Sequence, residues 1–171
     1  MDAPNRKYTP MSPNGADPGL ASYLQGDRKL LHHRILQTSQ DIPSLQGGLA
    51  AMYQNEVLPQ KTRTVRLLGI KSPARIIQTL LGYEVQARYK RIQCPDLVTA
   101  RYIRLFSELG CRSIRLPYDP TVTARLISPM EQSLQSITDT VSGLFPGNPK
   151  LCLYVIRKIY AILRTKIRDL T

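Results

Sequence analysis

The sequence predicts a mainly α-helical protein, a compact bundle of about five to seven helices. One observation is the segment 148–171, whose apolar residues share one broad arc when each residue advances about 100° around a helix axis. A second is a recurring residue–proline pair that precedes segments of helical periodicity. Proline suits the first turn of a helix because its φ is already fixed and its missing N–H would have no partner there.

The chain is predicted to be an N-terminal arm followed by one domain. Residues 1–26 hold four prolines and three glycines with few large aliphatic residues. Such a composition buries too little apolar surface to offset the entropy of ordering, so we predict a disordered arm. Residues 27–171 are long enough for a single helical domain.

Proline pairs mark the predicted helix starts. Ser, Asp or Asn precedes proline in four of the pairs and can cap free N–H groups. The pairs are Ile42–Pro43, Ser72–Pro73, Cys94–Pro95, Asp119–Pro120, Ser128–Pro129 and Asn148–Pro149. Helices are therefore predicted over 73–92, 95–109, 129–145 and 148–171. A further helix is predicted over 28–37, where Asp27 can cap the start. Ser128 with Glu131 forms an S-x-x-E pattern that predicts a capping box.

Two segments, 62–70 and 111–118, do not fit helical periodicity. Both are rich in β-branched residues, and Ile114, Leu116 and Tyr118 alternate with less apolar neighbours as in a half-buried strand. A short β ribbon pairing 62–70 with 111–118 is one interpretation. Extended linkers are the other, and we prefer linkers by a narrow margin.

The sequence offers no set of residues typical of an enzyme. His32 and His33 are adjacent, so on a helix they point about 100° apart and cannot chelate one metal ion together. Cys94, Cys111 and Cys152 are widely spaced and lack an adjacent base. We therefore expect neither catalysis nor a cofactor or metal. Unpaired cysteines also predict a reducing, intracellular (cytoplasmic) location, and no apolar run reaches the length of a membrane span.

Positive charge is the main functional signal. The chain carries 24 Lys and Arg against 12 Asp and Glu, a net charge of +12. Seven-, seven- and four-residue spacings place Lys150, Arg157, Arg164 and Arg168 on one side of the final helix. A second basic patch is predicted on the 73–92 helix, with Arg75 on its outer side and Arg88, Tyr89, Lys90 and Arg91 at its end.

These nine residues form the predicted binding site for nucleic acid, either DNA or RNA. Arginine and lysine would contact phosphate, so recognition would depend on charge and shape more than on base sequence. Tyr89 would stack on an unpaired base. A protein that binds nucleic acid in this way could have a regulatory role.

Two other functions remain open. The protein could be an adaptor that docks on an acidic protein surface or forms a homo-oligomer. An apolar stripe with coiled-coil-like spacing would support the oligomer. This stripe consists of Met130, Leu134, Ile137, Val141 and Leu144. We prefer the interpretation that this stripe packs in the protein's own core, because the helices of a small bundle need such apolar stripes. Peripheral binding to an anionic membrane is the third function, with only Leu153 and Tyr154 as flanking apolar residues on the last helix.

Overall fold

Residues 48–170, the part of the chain that the computed structural model describes, contain both helices and antiparallel strands. Here α1, Leu49–Met52, continues into a π-helical turn, Tyr53–Val57. The remaining elements are β1 Thr62–Arg66, β2 Ala74–Thr79, β3 Gly82–Ala87, β4 Lys90–Cys94, α2 Leu97–Leu109, β5 Ser113–Pro117, α3 Pro120–Leu144 and α4 Pro149–Asp169. The protein thus has an α+β fold, and the prediction of a mainly α bundle of five to seven helices is wrong.

The main error concerns residues 73–92, which form a three-stranded antiparallel sheet of order β2–β3–β4 instead of a helix. Two-residue loops join the strands, at Leu80–Leu81 and at Arg88–Tyr89. Gly82, with a φ of +116°, stands where the first loop ends. Polar and apolar residues alternate from Tyr83 to Ala87, and this period of two is the signal that the helical interpretation missed.

The inner face of this sheet packs against α2. Val85, Ala87 and Cys94 are buried there, and Tyr102 and Phe106 of α2 are fully buried in the core. The helix predicted over 95–109 is confirmed, although its N-cap is Asp96, whose carboxylate accepts from the Thr99 backbone N–H at 2.7 Å. Capping by Asp96 explains why the helix begins after Pro95 rather than at it.

Segments 62–70 and 111–118 contain the two strands of a separate ribbon. β1 pairs antiparallel with β5, with Thr64 opposite Arg115. The preference for linkers is therefore wrong, and the ribbon interpretation is confirmed. Two buried tyrosines attach the ribbon to the core: the Arg115 N–H donates to the Tyr53 hydroxyl at 2.6 Å, and the Tyr102 hydroxyl donates to the Arg115 carbonyl at 3.0 Å.

Helix α3 runs without interruption through Pro129. The predicted helix start at Ser128 is wrong, because buried Leu126 and Ile127 extend the apolar stripe into the preceding residues. Glu131 does not turn back to a capping box, since its carboxylate binds the guanidinium groups of α2. The helix instead starts after Asp119, where the predicted proline start at Pro120 is confirmed.

The predicted oligomerisation stripe on α3 lies mostly inside the protein. Met130, Ile137 and Val141 are fully buried, as the preferred own-core interpretation requires. Leu134 is half-buried, and Leu144 is exposed. Burial of these three side chains means that they already pack within the chain.

The final helix is confirmed as α4. Asn148 caps it, its side-chain oxygen accepting from the Leu151 N–H at 3.0 Å. The predicted apolar arc contributes six buried residues to the core: Leu151, Val155, Ile156, Ile159, Leu163 and Ile167. Cys152, expected in the core, is only half-buried, as are Ile162 and Leu170. Among the helices that the structure describes, none combines the length and apolar content needed to cross a bilayer.

Some predictions fall outside the described residues. They are the arm at 1–26, the helix at 28–37, the adjacent His32 and His33, and the helix start at Pro43. The structure describes only the part of the predicted domain that follows residue 47.

Candidate anion-binding site

A basic cleft opens between two loops and the last turns of α4. Its volume is about 420 Å³. The loop after β1, the loop between α2 and β5, and the end of α4 each contribute residues. The lining comprises Gly69, Ile70, Lys71, Gly110, Cys111, Arg112, Ser113, Arg164, Thr165, Ile167 and Arg168. Four of these side chains are cationic, and none of the described residues that line the cleft is acidic. We call it the basic cleft below.

Backbone hydrogen bonds join the two loops. Helix α2 ends at Gly110, in a left-handed conformation with φ +83°. Beyond it, the Gly69 N–H donates to the Cys111 carbonyl at 3.0 Å, and the Leu67 N–H donates to the Arg112 carbonyl at 2.7 Å. The β1–β5 pairing therefore continues into the loops, so residues 42 and 45 positions apart in sequence meet beside the cleft.

Glycine is required at two positions because of close packing. A Cβ on Gly110 would lie 2.6 Å from the Lys71 backbone nitrogen and 3.1 Å from Nη1 of Arg164. A Cβ on Gly69, whose φ is +76°, would lie 2.6 Å from Cγ of Arg112. The side chains of Arg164 and Arg112 thus lie directly against glycine backbone, which positions both of them at the cleft.

Lys71 carries a positive charge that its surroundings oppose. Its ammonium lies 4.5 Å from the centroid of the Tyr160 ring, a cation–π contact with α4. Burial lowers the pKa of Lys71, the nearby Arg157 guanidinium lowers it further, and Glu108 acts in the opposite direction. An anion bound beside Lys71 would favour its charged form.

The other polar groups of the cleft are not equally able to bind an anion. Arg168 forms an ion pair with Asp169 at 3.1 Å, and both side chains are largely exposed. Cys111 is buried, and burial raises its thiol pKa to about 12, against the opposing effect of Arg164. The thiol is therefore protonated and is a poor nucleophile. Arg112, Arg164 and Lys71 remain as the main groups for binding an anion.

A neighbouring groove of about 400 Å³ has the opposite character. It lies between α2, α3 and α4, and Glu108 and Glu131 line it beside Arg104. Glu131 already binds the Arg101 and Arg104 guanidinium groups. Internal ion pairs thus satisfy much of this groove's charge, and it makes a poorer anion site than the basic cleft.

The predicted basic stripe on α4 is only partly assembled into the cleft. Arg164, which is half-buried, and Arg168, which is exposed, line the cleft. Arg157 is not a lining residue, but its charge lowers the pKa of Lys71. Lys150 is exposed near the start of the helix. Fourteen residues separate it from Arg164, which amounts to about 21 Å along the axis. The structure therefore does not bring Lys150 to the cleft.

The second predicted patch lies on the sheet, not on a helix end. Arg75, Gln86 and Arg91 stand opposite one another across β2, β3 and β4, so they form one row on the outer face. Arg91 lies 3.8 Å from the Glu84 carboxylate. Arg88, with a φ of +53°, and Tyr89, which is 80% exposed, form the loop after β3.

Lys90 connects this patch to the cleft region. Its ammonium donates to the Leu67 carbonyl at 3.3 Å, two residues before Gly69. The end of the sheet is thereby fixed to the loop that lines the cleft.

Sequence reasoning missed most of the cleft lining, including Gly69, Lys71, Gly110 and Arg112. A signal existed for two of them, since Gly110 reads as a helix end and Lys71 belongs to an acid-free basic run from 57 to 83. No local pattern marks Arg112, which reaches the cleft only through the β1–β5 pairing.

Comparisons with known proteins give no further guidance. No protein-family model matches the chain, and no curated protein or solved structure is significantly similar to it. Within residues 48–170 no three His, Cys, Asp or Glu side chains are grouped so that they could hold a metal ion. The chemistry that the described site offers is anion binding.

Proposed function

We propose that the protein binds nucleic acid, DNA or RNA, through phosphate contacts made in and around the basic cleft. The observation that supports this most is the convergence of Lys71, Arg112 and Arg164 on one cavity without an acidic lining residue. Guanidinium groups donate in pairs to phosphate oxygens, so two arginines at one cavity suit a phosphate especially well. Recognition would follow from charge and shape, because the cleft presents mainly cations.

The end of the three-stranded sheet would extend the contact. Tyr89 is highly exposed and stands between Arg88 and Lys90. A base stacked on this ring would leave its flanking phosphates near the two cations. Lys90 is hydrogen-bonded to the Leu67 carbonyl, in the loop before the cleft. One strand of nucleic acid would therefore contact both Tyr89 and the cleft. We also propose a reducing, cytoplasmic location, which is compatible with three cysteines that form no disulfide.

Binding should depend steeply on salt. About three phosphate contacts to a single strand predict a logarithmic salt slope of roughly −2. Fluorescence anisotropy with labelled single- and double-stranded oligonucleotides, titrated from low to physiological salt, measures it. Undetectable binding at low salt, or an affinity that salt does not change, would refute the proposal.

A pair of substitutions on α4 tests whether the cleft is the contact. Arg164→Gln removes a cation from the cleft, and we expect affinity to fall roughly tenfold with a shallower salt slope. Lys166→Gln is the matched control, because Lys166 is exposed on the same helix about 200° away around the axis. Equal losses in both variants would show that net charge matters and that the cleft does not. Melting temperatures of both variants check that folding is intact.

A second candidate function, protein docking, has one supporting observation. The loop between β2 and β3 presents Leu80 and Leu81 at 105% and 80% exposure, with Leu97 exposed at 45%. Contiguous exposed leucines are typical of interaction surfaces. Sedimentation velocity over a concentration series, with Leu80→Ser and Leu81→Ser as the variant, tests self-association through this loop.

A further inference from the structure

The basic cleft has a buried floor and an exposed rim. Gly110, Cys111 and Ile167 are buried at its floor, whereas Ile70, Lys71, Arg112, Thr165 and Arg168 are exposed at its rim. A phosphate at the end of a strand can approach such a floor from the open side, with the rest of the strand outside the rim.

The number of cations exceeds what one phosphodiester needs. Each internal phosphate of a strand contributes one negative charge. A terminal phosphomonoester carries about −1.5 to −2 at pH 7 and offers three acceptor oxygens. Arg168 pairs with Asp169 at the exposed rim, and the other three cations of the cleft are Lys71, Arg112 and Arg164. Two guanidinium groups and one ammonium supply enough donors and positive charge for the three oxygens of a phosphomonoester, which carries nearly two negative charges.

The size of the cleft supports one terminal group rather than a stretch of backbone. About 420 Å³ lies at the lower end of the range typical of small-molecule sites. Ile70, 48% exposed at the rim, offers an apolar surface for the sugar or base attached to the phosphate. Burial lowers the pKa of Lys71 and the Arg157 charge lowers it further, and a bound dianion favours the charged form of Lys71 more than a monoanion does.

We infer that the basic cleft binds the terminal phosphomonoester of a nucleic-acid strand through Arg112, Arg164 and Lys71. This inference rests on the proposed function and specifies its ligand. The phosphate of the strand end lies against the glycine-backed arginines, and the rest of the strand leaves across the rim. Internal phosphates are bound more weakly, along Arg157 and the sheet end.

The test compares oligonucleotides that differ only at their ends. Three versions of one internally labelled sequence carry a 5′-phosphate, a 3′-phosphate or hydroxyls at both ends. We expect at least one phosphorylated version to bind about tenfold more tightly than the hydroxyl version. We also expect inorganic phosphate to remove that difference by competition. Equal binding of all three versions, with a normal salt slope, would overturn the inference and leave the proposed function standing. Failure of all three to bind would overturn both.

Variants locate the preference within the cleft. Arg112→Gln with Arg164→Gln should abolish the tenfold preference and retain weak, salt-dependent binding. Gly69→Ala keeps every charge but places a Cβ 2.6 Å from Cγ of Arg112, so it should displace that guanidinium and reduce the preference several-fold. Gly147→Ala, at φ +79° with no atom within 4 Å of the new Cβ, is its control for backbone strain. A preference that survives both cleft variants would contradict the assignment.

The free nucleotide distinguishes a strand end from a small metabolite. A nucleoside monophosphate should compete with the phosphorylated oligonucleotide at least tenfold more weakly than an unlabelled copy of that oligonucleotide. Equal competition would show that the cleft takes a free phosphate ester and would overturn the strand-end assignment.

Discussion

The basic cleft and the outer face of the three-stranded sheet both carry cations, but their surroundings differ. In the cleft, Arg112 and Arg164 lie against glycine backbone, and no described lining residue is acidic. On the sheet, Arg75 and Arg91 stand on an open surface, and Glu84 lies beside Arg91. Both regions raise the net charge, but only the cleft holds its cations in fixed positions around one cavity.

The difference indicates that the shape of the backbone matters beside the number of cations. A concave backbone brings several cations to one cavity, whereas an open sheet leaves them spread out. Exposed ion pairs on a flat face are screened by water and contribute little, so the sheet's cations attract an anion weakly. Arg164, the half-buried cation of the cleft, is screened less, and desolvation lowers the pKa of Lys71 although that side chain is exposed at the rim. The following predictions test that difference, beginning with the largest expected effect.

The first prediction concerns the backbone that shapes the cleft. Gly110→Ala should lower the free energy of unfolding by about 3 kcal/mol, because strain at positive φ adds to a clash with backbone. The new Cβ would lie 2.6 Å from the Lys71 nitrogen, at a φ of +83°. Urea denaturation measures the change.

Gly147→Ala is the matched control for this substitution. Its φ of +79° is similar, but a Cβ there meets nothing within 4 Å. It should cost only about 1 kcal/mol, the strain alone. Equal losses in the two variants would show that close packing at Gly110 does not hold the cleft together.

The second prediction makes the cleft resemble the sheet. Thr165→Glu would place a carboxylate at the rim beside Arg164 and Arg168, as Glu84 stands beside Arg91. We expect oligonucleotide affinity to fall about tenfold at low salt, with Thr165→Gln as the isosteric neutral control. An unchanged affinity in the glutamate variant would argue that the strand does not enter the cleft.

Features that depend on residues close together in sequence could be predicted, and features that depend on distant segments could not. The last helix was predictable because its apolar arc and its basic stripe repeat at local spacings, and Leu151, Val155 and Ile159 are buried as expected. Local patterns also predicted Asp119 and Asn148 as starts of helices. In each case the determining residues lie within two turns of one another.

The sheet and the cleft depend on pairings that local patterns do not encode. Residues 73–92 fit a helical set of apolar positions, but the alternation from Tyr83 to Ala87 fits a strand better once β2 and β4 lie beside it. Arg112 reaches Gly69 only because β1 pairs with β5. Tertiary pairing therefore decided both the fold class and the location of the site.

The third prediction makes the sheet resemble the cleft, and it should have the smallest effect. Glu84→Gln removes the carboxylate 3.8 Å from Arg91 and leaves Arg75, Gln86 and Arg91 as an acid-free row. If fixed geometry matters more than local charge, oligonucleotide affinity should rise less than threefold, because water still screens an open face. Asp139→Asn, which removes an exposed carboxylate on α3, controls for net charge in the same anisotropy assay. A rise of tenfold or more in Glu84→Gln alone would mean that the sheet binds nucleic acid as strongly as the cleft does, and that concavity is not what separates the two surfaces.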